Sequence, residues 1–497
     1  MPPSDRIRRA GAWLAGARAV GPGAGPHSPR PLPLAAPRAV EAPDATLPDT
    51  APGGLGSVST DPTERLPDGL AELRVQRVRG GDGDPAYLLT GVCGGPSDDL
   101  PFTSRAPELA PTDINLERVR EGGAMPSEFY REVRHWSFRQ RPLVGWLNAQ
   151  RDRHGAALHL VVWDDTDYEI PWEMLLLNAE AATTGTDLPL GAAVPVARWT
   201  TIRELARPLL DEPAHCSGRV LSYFDEPNRS DAGAFSPFDH ESHTDVDRFL
   251  DRLDERRRAA EPVPAAGGPG AASRAAQQVP GSAGAAGTSG RPDTAARPDT
   301  GGRPDPCGPG RADTGLGLVY MGCHGTHGKR IDDLTVGMLT WYELDEPAMS
   351  ALHGDTGTGG TLVCLNVCHS GRLVDNRGGG EDALRGFSEL FLRKGAKACI
   401  ATRGEVGETE ARALLGHLVE HAHRTPDRPI AQMLRDFRAH AVASLPHRVP
   451  RVRASDGGHD VDGQRRVLDL LYAFMYVYYG HPLTTLQLAP HHPDPAP

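Results

Sequence analysis

The stretch L-V-C-L-N-V-C-H-S-G, Leu362 to Gly371, is apolar and strand-like over its first half, then packs a cysteine, a histidine, a serine and a glycine into four positions. A second stretch, G-L-V-Y-M-G-C-H-G from Gly317 to Gly325, has the same form. Near-continuous apolar runs are strands buried on both faces, and such strands belong to parallel sheets covered by helices. The spacing predicts strands over Leu316–Cys323, Leu362–Val367 and Ala398–Thr402, with helices over Asp382–Arg393, Glu408–His423 and Ile430–Ser444. A last strand-like run, Y-A-F-M-Y-V-Y-Y-G-H-P, is expected to close the sheet at one edge.

Helices cover the faces of an open parallel sheet, so its ligand site lies beyond the carboxyl ends of the strands. Two of the predicted strands deliver reactive groups there: one presents His324 and Gly325, the other Cys368. A thiol needs a neighbouring imidazole to supply thiolate at neutral pH, and a leaving amine needs a protonated imidazole in return. Gly325 allows close approach of a substrate backbone and offers an N–H to a developing oxyanion, with the N–H of Cys368 as second donor. Ser370 and Gly371 would turn the chain away. His369 is the weaker histidine, since immediate neighbours leave a strand in different directions. Cys364, inside the strand, reads as core.

Upstream, Leu70–Val78 and Tyr87–Cys93 form a strand pair across G-G-D-G-D-P, and Ser127–Trp136 is helical. Leu158–Trp163 is a strand, Tyr168–Leu177 enters a short helix at Pro171, Arg219–Phe224 is a strand and Asp245–Arg258 an amphipathic helix. Two regions are poor in aromatic residues and rich in Pro, Ala and Gly, a composition that does not offset chain entropy. The second holds R-P-D-T twice and R-P-D-P once, a short repeat typical of linkers and a candidate for self-processing. The expected division is therefore 1–68 disordered arm, 69–212 N-terminal α+β subdomain, 213–258 first part of the core, 259–313 disordered linker, 314–490 catalytic core and 491–497 tail.

A net charge of −12 over 497 residues speaks against nucleic acid or anionic lipid as the main partner. Seven scattered cysteines, an odd number, fit a reducing, cytoplasmic setting. No run approaches the roughly 18 to 20 apolar residues of a membrane span, and the basic, briefly apolar start is broken by Arg18.

The strand ending in C-H-G, then T-W-Y-E-L-D-E-P-A-M-S-A-L, L-V-C-L-N-V-C-H-S-G, F-S-E-L-F-L-R-K-G-A-K-A-C-I-A-T-R and A-F-M-Y-V-Y-Y-G-H-P resemble the CHAT domain, a caspase-like cysteine peptidase group. P-W-E-M-L at Pro171–Leu175 and L-G-A-A-V-P-V-A-R at Leu190–Arg198 resemble the upstream part of such proteins. The resemblance implies a caspase-like α/β fold with a mostly parallel sheet flanked by helices, a His324–Cys368 dyad, and peptide hydrolysis through an acyl-enzyme without a cofactor. It also implies regulated proteolysis in bacterial defence or cell death, a protein or peptide substrate, and an upstream activating sensor protein. In metacaspases, which share C-H-S-G, the residue two before the nucleophile is usually an aspartate. Asn366 stands there, which weakens an expectation of Arg or Lys specificity. The family's tryptophan and aspartate after the Ala398–Thr402 strand are replaced by Gly404 and Glu408. Asn366, Asp225, Glu405 and Glu408 are the pocket candidates, with Glu226, Asp332 and Asp333 behind them.

Three rivals stand beside this reading. A zinc module built from Cys323, His324, Cys368 and His369 is disfavoured, because adjacent strand residues point to opposite faces. A silent interaction scaffold would have no need of both Cys368 and His324. An esterase or transferase would use the same dyad.

Overall fold

The structure, a computed structural model, describes residues 66–79, 85–94, 102–106, 126–166, 170–177, 188–200, 213–254, 315–353, 359–375, 384–445 and 460–491. The expected arm up to residue 65, the linker 259–313 with its repeats, the end of the Asp245–Arg258 helix and all but the first residue of the tail lie outside the described residues. All described residues fall within one compact unit, Thr63–Pro497.

The chain opens with β1 (Leu70–Arg79), β2 (Pro85–Cys93) and β3 (Phe102–Ala106), followed by helices α1 (Pro126–Arg139) and α2 (Arg141–His154). Next come β4 (His159–Asp164), β5 (Val196–Trp199), β6 (His215–Phe224) and α3 (Val246–Leu253). Beyond the linker follow β7 (Leu316–Gly322), β8 (Gly325–Thr326), β9 (Thr335–Val336), β10 (Leu362–Asn366), α4 (Phe387–Arg393) and β11 (Ala398–Thr402). The C-terminal elements are α5 (Glu408–Arg424), α6 (Ile430–Ala443), α7 (Val461–Met475), β12 (Tyr476–Gly480) and β13 (Thr485–Leu488).

One large sheet contains most of these strands, in the order β6-β7-β10-β11-β12-β5-β4-β1-β2-β3. Pairing is parallel at β6–β7, β7–β10, β10–β11, β12–β5, β5–β4 and β4–β1, and antiparallel at β11–β12, β1–β2 and β2–β3. This is the expected mixed α/β architecture, a mostly parallel sheet flanked by helices. Every residue of β7, β10, β11 and β12 is buried, as the near-continuous apolar runs require.

One strand placement differs from the sequence expectation, which also did not name β3, α2, β5, α7 or β13. The C-terminal run does not close an edge: Tyr472–Met475 ends α7, and β12 lies inside the sheet between β11 and β5. An edge strand exposes one row of backbone groups and tends to carry charge or proline; Y-V-Y-Y-G has neither and pairs on both sides. The upstream strands continue this same sheet, because β5 joins β12 at Arg198 and Tyr479.

The seam between β5 and β12 is built around buried charge. Arg198 donates from Nε to Glu173 Oε1 at 2.7 Å, from Nη2 to Glu173 Oε2 at 2.5 Å and from Nη2 to the Ile170 carbonyl at 2.9 Å. Glu173 sits in the P-W-E-M-L block and Arg198 ends L-G-A-A-V-P-V-A-R, so the two upstream blocks meet through this pair. A second guanidinium, Arg438 on α6, is fully buried and donates to the Tyr476 carbonyl of β12 at 2.5 Å. Burial alone would raise the Glu173 pKa. The charge and hydrogen bonds of Arg198, with the charge of Arg438, outweigh burial and hold the carboxyl well below its ordinary value of 4.5.

Removing one partner of a buried pair leaves the other charge uncompensated, at a cost of about 3–5 kcal/mol. Glu173→Gln is expected to lose that much in guanidinium unfolding at pH 7. Because the folded carboxyl is more acidic than the unfolded one, its stabilisation is complete above pH 4.5 and is lost as the pH falls through its depressed folded value. Glu173→Gln should therefore lack that part of the acid dependence. An unchanged unfolding midpoint at pH 7 would contradict the assignment.

Candidate active site

The site begins with a register. β7 and β10 pair in parallel from Leu318 opposite Leu362 to Gly322 opposite Asn366. His324 and Cys368 each lie two residues beyond that last pair, so both chains leave the sheet at the same edge with their reactive residues level. Just beyond the end of β7, Cys323 is buried and His324 is 86% exposed at its side chain.

Gly325 fixes the approach of the two chains. A Cβ added there would lie 2.4 Å from Cγ1 of Val367 and 2.7 Å from the carbonyl oxygen of Cys368, contacts that no side chain tolerates. Gly325 is also the first residue of β8, opposite Val336 of β9. The Gly337 N–H donates to the His324 carbonyl at 2.7 Å, which makes Gly325–Val336 the non-hydrogen-bonded kind of antiparallel pair. The Gly325 N–H is accordingly turned away from β9.

The turn after β10 is held by β11. Ser370 Oγ donates to the Leu365 carbonyl at 3.1 Å and accepts from the Thr402 N–H at 3.1 Å, while the Thr402 hydroxyl donates to the Val367 carbonyl. His369 has φ 61°, a left-handed conformation that lets the chain reverse directly after Cys368, and its N–H donates to the Gly404 carbonyl at 3.1 Å. The His369 side chain is buried with its ring centroid 6.0 Å from that of His327.

Beneath Cys368 lies a cavity of about 170 Å³, walled by Phe224, Tyr320, Val406 and Ala411, with Asn366, His324 and Cys368 also in its lining. Its size suits one side chain rather than a drug-sized ligand, which takes about 300 Å³ or more. Asn366 donates to the Tyr320 hydroxyl at 2.6 Å and to the Ala411 carbonyl at 2.9 Å, and accepts from the Tyr476 hydroxyl at 2.7 Å. Both amide hydrogens are thus committed within the protein. Burial keeps the Tyr320 and Tyr476 hydroxyls protonated by raising their pKa well above 10.

The acidic candidates occupy different places. Asp225 follows β6, places Oδ2 3.9 Å from His324 Nε2 and accepts from Asn228 Nδ2 at 2.6 Å. Glu408 lines the cavity and pairs with Arg412 at 2.6 Å. Asp231, which sequence reasoning did not single out, also lines it and accepts from Arg412 Nε at 2.9 Å. Glu405 is exposed on the loop after β11, and neither it nor Glu226, Asp332 or Asp333 lines the cavity. Asp332 pairs with Arg330, and Asp333 accepts from the Arg330 N–H at 3.2 Å. Asp231, Tyr320 and Tyr476 gave no sequence signal, because an acid in a polar loop and tyrosines inside apolar strands are ordinary.

Of the six cysteines among the described residues, Cys216, Cys323, Cys364 and Cys399 are buried, whereas Cys368 and Cys93 are half-buried. Burial pushes the Cys364 and Cys399 thiols up, and that of Cys216 up to about 12. Cys323 is raised by burial and by the charges of Asp225 and Cys368. These four stay protonated at neutral pH and make poor nucleophiles.

Residues 305–452 match the family model of the CHAT domain, a span that holds both His324 and Cys368 and bears out the resemblance drawn from the sequence blocks. A solved structure, the Saccharomyces cerevisiae separase–securin complex, is 10% identical with a TM-score of 0.31 and covers 69% of this chain. This chain spans 17% of the length of that one. No curated protein matches the sequence. Among the described residues, no helix is long and apolar enough to cross a membrane.

Gly325→Ala forces a methyl group against Val367 and the Cys368 carbonyl. It is expected to cost about 1–3 kcal/mol, the usual penalty of overpacking, read as a lower urea midpoint. An unchanged midpoint would show that β8 and β10 do not approach as described.

Proposed function

We propose that the chain is a CHAT-type cysteine endopeptidase that cleaves protein or peptide substrates. The observation that carries this reading is the β7–β10 register, which sets His324 and Cys368 level at one sheet edge over a single cavity. The Cys368 sulfur attacks the scissile carbonyl carbon and its proton passes to His324. The carbonyl oxygen becomes an oxyanion, for which the N–H groups of Gly325 and Cys368 are the proposed donors. Collapse expels the amine, which takes the proton from His324, and water then hydrolyses the acyl-enzyme. The imidazole is open to solvent before substrate arrives, and a bound peptide would cover it. Asp225, near the imidazole nitrogen, is the proposed orienting group.

The cavity would receive one substrate side chain. Asn366 contributes shape there, since its amide hydrogens are already used, and Glu408 and Asp231 contribute acidity shared with Arg412. Asp225 and Glu405, both outside the cavity lining, would meet only parts of a substrate that extend beyond it. We place the protein in the cytoplasm, in a bacterial defence or cell-death pathway, under an upstream sensor protein. Within it, 213–258 and 314–490 form the catalytic core and 69–212 the associated subdomain.

Cys368→Ala and His324→Ala are each expected to abolish peptide-bond cleavage while keeping the wild-type unfolding midpoint, whereas Cys364→Ala keeps activity and loses only packing. Proteome-wide mapping of new amino termini, comparing wild type with Cys368→Ala, reads both activity and preference. Equal termini from the two proteins, or an inactive Cys364→Ala beside an active Cys368→Ala, would sink the reading.

A further inference from the structure

The second half-buried thiol, Cys93, is not near β10. It ends β2 and faces the last residue of α2: Cys93 Sγ is 3.4 Å from His154 Nε2. The other ring nitrogen, His154 Nδ1, is 3.3 Å from Oδ1 of Asp68. Thiol, imidazole and carboxylate therefore stand in line, one on each side of the ring, and come from three separate segments. The imidazole is shielded, with only 6% of its side chain exposed, while the carboxylate is largely in water.

Backbone packing holds this line. Gly94 lies so close under Leu66 and Pro67 that a Cβ would be 2.2 Å and 2.0 Å from their carbonyl oxygens, and Asp68 bridges to Gly94. The Gly94 N–H donates to the Leu70 carbonyl at 2.9 Å and the His159 N–H to the Gly69 carbonyl at 2.8 Å. Asp68 is thus fixed between the end of β2 and the segment that follows α2. α2 ends at His154, where Gly155 takes φ 55°.

The Asp68 carboxylate, 3.3 Å from Nδ1, favours a ring hydrogen on that nitrogen, and in that tautomer Nε2 is an acceptor facing the thiol. The thiol also has the Gly94 carbonyl at 3.6 Å, but an amide oxygen cannot take its proton, whereas the imidazole can. Among the described residues no group of three or more His, Cys, Asp or Glu is disposed to hold a metal ion, and here the ring separates the other two groups.

We propose that Cys93 is a second reactive thiol, a modification site for small-molecule disulfides, with His154 as its base and Asp68 as a positioning residue. The Cys93 proton moves to His154 Nε2, and the thiolate attacks one sulfur of the disulfide. The S–S bond breaks as the new Cys93 S–S bond forms, and the departing thiolate takes the proton from His154. One mixed disulfide and one free small thiol result.

The test uses the full chain carrying Cys368→Ala, so that the other half-buried thiol does not compete. It is incubated with oxidised glutathione from pH 5.5 to 9.5, and the adduct on the Cys93 peptide is followed by mass spectrometry. The rate is expected to inflect at least about one unit below the ordinary thiol value near 8.5. His154→Gln returns the inflection to that value and slows the reaction about fivefold at pH 6.5, the net of more thiolate and weaker intrinsic nucleophilicity. Asp68→Asn moves the inflection part of the way. A wild-type inflection at about 8.5 overturns the proposal, as does an unchanged profile in His154→Gln. The wild-type profile decides alone if that variant does not fold.

Discussion

The pairing of Gly322 with Asn366 is the constraint on which the site depends. A parallel ladder fixes relative position along the strands by backbone hydrogen bonds, and a slip of one residue would turn every side chain of β10 to the opposite face. That slip is blocked from both sides. Leu362–Asn366 is buried throughout, and the Asn366 amide is anchored to Tyr320 on β7, to Tyr476 on β12 and to the Ala411 carbonyl of α5. An unsatisfied buried amide costs about 1–3 kcal/mol, so these three bonds work as a register pin. His324 and Cys368 inherit their positions from it.

The same economy appears at the seam between β5 and β12. Burying Glu173, Arg198 and Arg438 is expensive, and the cost is offset only if each charge meets its partners with good geometry. Here the fork of Arg198 meets both oxygens of Glu173, while Arg438 meets the Tyr476 carbonyl through Nη2 alone and leaves its Nε and Nη1 buried without a hydrogen bond. Such a cluster adds little net stability over an apolar core. It does require the P-W-E-M-L segment, β5, α6 and β12 to arrive together, and in doing so it joins the upstream strands to the sheet that carries His324 and Cys368.

Six described cysteines show how far environment decides chemistry. Cys364 and Cys368 are four residues apart in one short stretch, yet the first is sealed between strands and the second opens onto a cavity. The sequence already separated them, since Cys364 lies inside the apolar run and Cys368 at its end. For Cys93 no such signal exists: its imidazole neighbour is 61 residues away at the end of a helix, in a part of the chain whose composition is unremarkable.

Legibility follows the range of the interaction. The positions of β7, β10 and β11 and of α5 and α6 were set within a residue or two by apolar runs and helical spacing, since local burial pattern is written in neighbouring residues. The strand Tyr476–Gly480 was legible as a strand but not in its place, because edge or centre depends on which strand arrives beside it. The ion pair of Glu173 with Arg198 spans 25 residues and the Asn366–Tyr476 bond 110, and nothing local distinguishes those side chains from solvated ones. The sequence by itself therefore determined the strands and helices around His324 and Cys368 and the residues able to do chemistry. Only the tertiary structure decided which of them meet, because partners distant along the chain are selected by geometry and by the penalty for leaving a buried polar group alone.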